Sequence, residues 1–84
     1  MKNHIPKDYD VFTTYDLGVA SALLTSGYKL LDVDRTNNRK VLFIFEQKAD
    51  IEKVANSFFT DELRVKARSY FDNLKALKSK LYSD

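Results

Sequence analysis

The chain is 84 residues long, 44% hydrophobic and 31% charged, with no cysteine, two glycines and one proline. At this size nearly every apolar residue is needed for one core, which leaves little for a deep catalytic cleft, and the missing cysteines exclude disulfides, thiolate chemistry and cysteine-based zinc sites. A formal charge of +2 is too small to mark a nucleic-acid binder by its total, so the placement of charge has to decide.

The opening MKNHIPKDYD lacks the apolar segment of a signal peptide. No later run approaches the ~20 apolar residues of a membrane span, so a cytoplasmic protein is expected. Residues 1–8 read as a flexible tail on a single domain that fills the chain. His4, the one histidine, sits in that tail beside Pro6, a poor place for a base or a ligand.

A short strand is expected near Val11–Thr13. Thr13-Thr14-Tyr15-Asp16 has the spacing of a capping box, a hydroxyl followed three residues later by a carboxylate, and predicts a helix from Tyr15 to Ser26. Leu17, Val19, Ala20, Leu23 and Leu24 nearly surround that helix, so it is mostly buried, and Gly18 permits a neighbour to come close. Gly27 stands where a left-handed C-cap is wanted.

Tyr28–Asp34 and Lys40–Glu46 are extended runs on either side of Arg35-Thr36-Asn37-Asn38-Arg39, whose paired asparagines suit a tight hairpin turn. A two-residue turn at Asn37-Asn38 pairs Asp34 with Val41 and Lys29 with Glu46. Val41 to Phe45 is apolar on both faces, which marks a central strand with the first strand as its second neighbour. Ile51, Val54, Ala55 and Phe58 give a second helix from about Ala49 to Phe59. Thr60-Asp61-Glu62 then reads as the capped, acidic start of a third helix that reaches Tyr82. The fold class is α+β, in the order β-α-β-β-α-α. Its three-stranded, mostly antiparallel sheet runs second-third-first, a split βαβ unit with a long C-terminal helix.

On the last helix Leu63, Ala67, Tyr70, Leu74, Leu77 and Leu81 step by four and three and form one seam. The seam either covers the sheet or meets another copy of the chain. Beside it, at ~100° per residue, Arg64, Arg68, Phe71, Lys75, Lys78 and Tyr82 share a strip of about 80° that holds no acid. Asp61 and Asp72 border the strip, and Asp72 is spaced to pair with Arg68 or Lys75. Glu62, Lys66, Asn73 and Lys80 make a mixed-charge side, with Glu62 and Lys66 as an i,i+4 pair. Four cations with two rings fit an anionic partner, either DNA or RNA or an acidic protein surface. Equally, long basic side chains can lie along the edge of the core with their heads in water while Phe71 widens the buried side.

Asp32 and Asp34 alternate on one strand, and Asp34 followed by Glu46-Gln47-Lys48 resembles the acid and Glu-x-Lys of a large nuclease fold, in which carboxylates hold magnesium. The two-residue turn, however, places Asp32 and Asp34 on the opposite sheet face from Glu46 and Lys48; only a one-residue register shift or a bulge would bring them together, so they are expected to be solvated or paired across strands, as Lys29 with Glu46. No serine has a nearby histidine, and no glycine-rich phosphate loop is present. No catalysis, cofactor or small-molecule substrate is expected.

Thr13-Thr14-Tyr15-Asp16-Leu17, Ala20, Leu24, Gly27-Tyr28-Lys29-Leu30-Leu31, Asp34-Arg35, Phe43-Ile44-Phe45-Glu46 and Leu77-Lys78-Ser79-Lys80-Leu81-Tyr82 together resemble a small domain-of-unknown-function family of about this length, met in bacterial, archaeal and phage or prophage genomes. The resemblance covers nearly the whole chain. It implies a small accessory protein with no assigned reaction. The expected function is a non-enzymatic binding protein working through the basic-aromatic strip. A module that dimerises through the last helix or a sheet edge is the alternative, and a divalent-metal nuclease a lesser one.

Overall fold

The computed structural model describes residues 10–37 and 39–82. The tail at residues 1–8, His4 and Asn38 lie outside the described residues. In chain order the elements are β1 (Val11–Thr14), α1 (Leu17–Thr25), β2 (Leu30–Asp34), β3 (Leu42–Glu46), α2 (Ile51–Phe59) and α3 (Ala67–Tyr82). The sheet runs β1-β3-β2 with both pairings antiparallel, as the sequence predicts. No helix among the described residues is long and apolar enough to cross a membrane.

The start of α1 corrects the predicted cap by three residues. Asp16, not Thr13, is the N-cap: its carboxylate accepts the Val19 N–H at 2.9 Å, while the Thr14 hydroxyl accepts the Asp16 N–H at 3.0 Å. A carboxylate at this position satisfies a free helical amide and meets the positive end of the helix dipole. The far end is as expected. Gly27 has φ +97°, and its N–H and that of Tyr28 donate to the Leu24 and Leu23 carbonyls, both at 3.0 Å, the double bond of a Schellman motif. Gly18 also serves as predicted, since a Cβ there would stand 2.7 Å from the Phe58 ring of α2.

The β2–β3 hairpin departs from the two-residue turn. The strands end at Asp34 and resume at Leu42, with Asp34 opposite Leu42 rather than Val41. In the connection the Asp34 and Asn37 side chains each accept the backbone N–H two residues on, from Thr36 and Arg39, so local side-chain bonds hold a wider loop. The register then shifts between Leu30 and Asp32. Leu30 lies opposite Phe45, so strict alternation would turn Asp32 and Asp34 to the same side as the fully buried Phe43 and Phe45. The extra residue at Leu31 reverses the alternation, sends both carboxylates to the open face and turns Val33 inward.

The core is Val19, Ala20, Leu23, Phe43, Phe45, Ile51, Ala55 and Leu77, with Ser21 buried among them and satisfied by the Leu17 carbonyl at 2.8 Å. Helix α1, buried from Val19 to Leu23, is its axis. The cross-strand Lys29–Glu46 ion pair does not form. Lys29 meets Glu46 through its backbone carbonyl at 3.0 Å, and the Glu46 carboxylate faces Lys48 instead.

The third helix begins six residues later than predicted. Thr60-Asp61-Glu62 ends α2 and does not open α3. Asp61 takes a left-handed conformation with φ +66°, and the N–H groups of Asp61 and Glu62 donate to Phe58 and Ser57, a second Schellman closure with aspartate in glycine's place. Residues 62–66 are irregular, with Leu63 and Val65 half-buried, and the Lys66 carbonyl accepts the first bond of α3 from Tyr70. The Glu62–Lys66 helical pair and the Asp61 border are therefore absent. The seam, expected to cover the sheet, packs chiefly along α1. Asn73 donates to the Thr25 hydroxyl at 2.9 Å, and Leu77 enters the core beside the strands.

Candidate anion-binding face

Helix α3 carries Arg68, Phe71, Lys75, Lys78 and Tyr82 at successive steps of three, four, three and four, which keeps them on one side. All five are exposed, Phe71 by 52% and Tyr82 by 81%. Phe71 thus does not widen the buried side. Arg64 is the exception to the predicted strip. It lies in the segment before α3 and lines, with Thr25, Ser26, Lys66 and Ser69, a separate open hollow of about 480 Å³.

The charges on this face are partly engaged. Arg68 Nε stands 3.3 Å from Asp72 Oδ1, the pairing its spacing anticipates, and such an exposed i,i+4 pair contributes ~0.3–0.5 kcal/mol. Lys75 holds its ammonium 5.2 Å from the centre of the Phe71 ring, a cation–π contact of about 0.5–1 kcal/mol at an exposed site. Lys78 makes no ion pair among the described residues. Lys75 and Lys78, which have no acidic partner among the described residues, lie toward the C-terminal end of α3.

At that end the fold adds residues that sequence reasoning missed. Tyr15, Arg39, Lys40, Leu81 and Tyr82 border a groove of about 370 Å³ floored by Phe43, with no acidic side chain among the described residues that line it. Tyr15 is 54% exposed, and Lys40 Nζ lies 4.5 Å from the centre of its ring. Tyr15 precedes the α1 cap, Arg39 and Lys40 sit in the hairpin loop, and Tyr82 ends α3. No spacing within one element links them, and only the tertiary fold does.

The inner side of α3 is polar at two points. The Tyr70 hydroxyl donates to the Gly18 carbonyl at 3.4 Å, and burial, helped by the negative charge of Asp16, pushes its pKa above that of a free tyrosine. Asn73 and Thr25 form the other contact, backed by the Thr25 hydroxyl donating to Ser21 O at 2.7 Å.

The acidic set takes a different placement from the one predicted. Because of the bulge, Asp32, opposite Ile44, and Asp34, opposite Leu42, share the open sheet face with Glu46. They are strung out along it: Glu46 is four residues beyond Leu42, about 13 Å along the strand. Each has its own neighbour. Asp34 Oδ1 accepts the Thr36 N–H at 2.9 Å and hydroxyl at 2.8 Å, which lowers its pKa, Asp32 accepts the Val33 N–H, and Glu46 faces Lys48 at 3.9 Å. Among the described residues no group of three histidine, cysteine or acidic side chains is placed to hold a metal ion.

Comparison with known proteins adds a family and no activity. No curated protein and no solved structure matches the chain. Residues 9–83 do match the domain of unknown function DUF5659, and with nearly its whole length covered the chain belongs to that family.

Proposed function

We propose that this protein is a small non-enzymatic binding module that receives an anionic partner on the outer face of α3, with a nucleic acid favoured over an acidic protein. The observation that carries this reading is the exposure of Phe71 and Tyr82 among Arg68, Lys75 and Lys78. Cations alone would serve an acidic protein, whereas rings held open to water beside them suit bases. The dispersal of Asp32, Asp34 and Glu46 supports leaving catalysis out. We infer a cytoplasmic setting, and the resemblance already described supports an accessory protein of bacterial, archaeal or phage genomes.

The test is binding to DNA, RNA and an acidic protein at two salt concentrations. Changing Arg68, Lys75 and Lys78 together to Ser should leave the circular dichroism intact and remove both the association and its salt dependence, which grows by about 0.9 logarithmic units per phosphate neutralised on duplex DNA. A wild-type protein with no salt-sensitive association sinks the proposal. A structural homodimer is the second reading, favoured because β1 and β2 each have one edge without a strand partner among the described residues. Light scattering at two concentrations decides it, and a strict monomer removes it.

A further inference from the structure

We infer that the groove at the C-terminal end of α3 takes a base of single-stranded nucleic acid, Tyr15 and Tyr82 offering faces to it while Arg39, Lys40 and Lys78 hold the adjoining phosphates. This rests on the reading above and narrows it to one class of ligand. Three observations carry it. The groove has an apolar floor at Phe43 and Leu81 and a volume of about 370 Å³, within the ~300–1,000 Å³ of small-ligand clefts. Its two border rings, Tyr15 and Tyr82, are 54% and 81% exposed; Lys40 Nζ covers one side of the Tyr15 ring at 4.5 Å, so a base stacks on the other side of that ring or moves Lys40 onto a phosphate. Among the described residues its charge is of one sign, since Arg39 and Lys40 line it without an acid and neither makes an ion pair there.

A duplex buries the faces of its bases in the stack and offers only their edges, so it has nothing to place against these rings. An acidic peptide would satisfy the cations and leave the rings idle. An unpaired strand supplies both phosphates and free base faces. Lys75 and Phe71 continue the same combination back along α3, and from Phe71 to Tyr82 the helix rises about 16 Å, so a strand leaving the groove has a track to follow.

The chain has five tyrosines and no tryptophan, so its intrinsic fluorescence reports the tyrosines directly. Titration with a short oligothymidylate should quench part of that emission. Tyr15→Ala and Tyr82→Ala should each weaken binding roughly tenfold or more, as loss of a base–ring stack does, and the double variant should abolish the quench. Circular dichroism checks that each variant is folded. Equal affinity for a dA·dT duplex or for polyglutamate overturns the inference while leaving the anionic-partner reading in place. So does single-strand binding that ignores both tyrosine substitutions. If no polyanion binds the wild type even at low salt, the reading itself fails and the groove inference falls with it.

Discussion

The two sides of α3 are built on opposite terms. On the inner side Tyr70, Asn73, Leu77 and Leu81 each meet a particular partner: the Gly18 carbonyl, the Thr25 hydroxyl, the core cluster and its margin. On the outer side Arg68, Phe71, Lys75, Lys78 and Tyr82 are exposed, and their contacts are limited to one surface ion pair and one cation–π contact within the same helix. The difference teaches that one helix can keep folding and recognition separate. What holds α3 in place hardly constrains what it displays.

The sharpest way to test that separation is Leu77→Ala. Leu77 is the only α3 residue that is fully buried in the core. Its truncation should cost about 2–5 kcal/mol, against a total of roughly 4–12 kcal/mol for a domain of this size. Urea unfolding should show the midpoint collapse, whereas oligonucleotide affinity per folded molecule should hold. A stability loss below ~1 kcal/mol would mean that α3 is not anchored there, and the contrast between its sides would dissolve.

A smaller effect is expected at Tyr70. Its pKa is raised in the folded protein by burial and by Asp16, so the unfolded chain releases the phenolic proton first, near pH 10. The stabilisation is therefore complete below that pH and lost as pH rises through the raised folded value. Tyr70→Phe should cost less than about 1 kcal/mol at neutral pH, because the bond it removes is long at 3.4 Å. It should also flatten the alkaline loss of stability relative to wild type. Matching alkaline profiles would place Tyr70 in water and off the inner side.

The inner side was legible in the sequence where each residue follows from one helical period, as from Tyr70 to Leu81. The start of α3 was not. Leu63 and Val65 alternate by two and belong to an irregular segment, but Leu63 also falls four before Ala67 and so joins the helical seam by coincidence. The deeper cause is Asp61. Gly27 announces a left-handed helix end, whereas an aspartate in that conformation looks like the beginning of a helix. The bulge at Leu31 is hidden locally, because Leu31 and Val33 alternate with Asp32 and Asp34 as in a regular strand, and only the pairing of Leu30 with Phe45 reveals the extra residue. For the outer face, periodicity found Arg68, Phe71, Lys75, Lys78 and Tyr82. It could not reach Tyr15, Arg39 and Lys40, which join Tyr82 only through the fold.

The smallest expected change is also the most pointed. Among the described residues Asp72 is the one acid paired to the outer face, with its carboxylate 3.3 Å from Arg68. Asp72→Asn should lower stability by only ~0.3–0.5 kcal/mol, a shift close to the limit of urea titration. On binding the sign reverses, because the substitution frees the Arg68 guanidinium and takes a negative charge from the border of the face. Affinity for an oligonucleotide should rise, and its salt dependence should steepen as one more cation becomes available to a phosphate. A variant that loses a little stability and gains affinity shows the two sides of α3 answering to different demands. An unchanged affinity would place the contact surface elsewhere on the molecule.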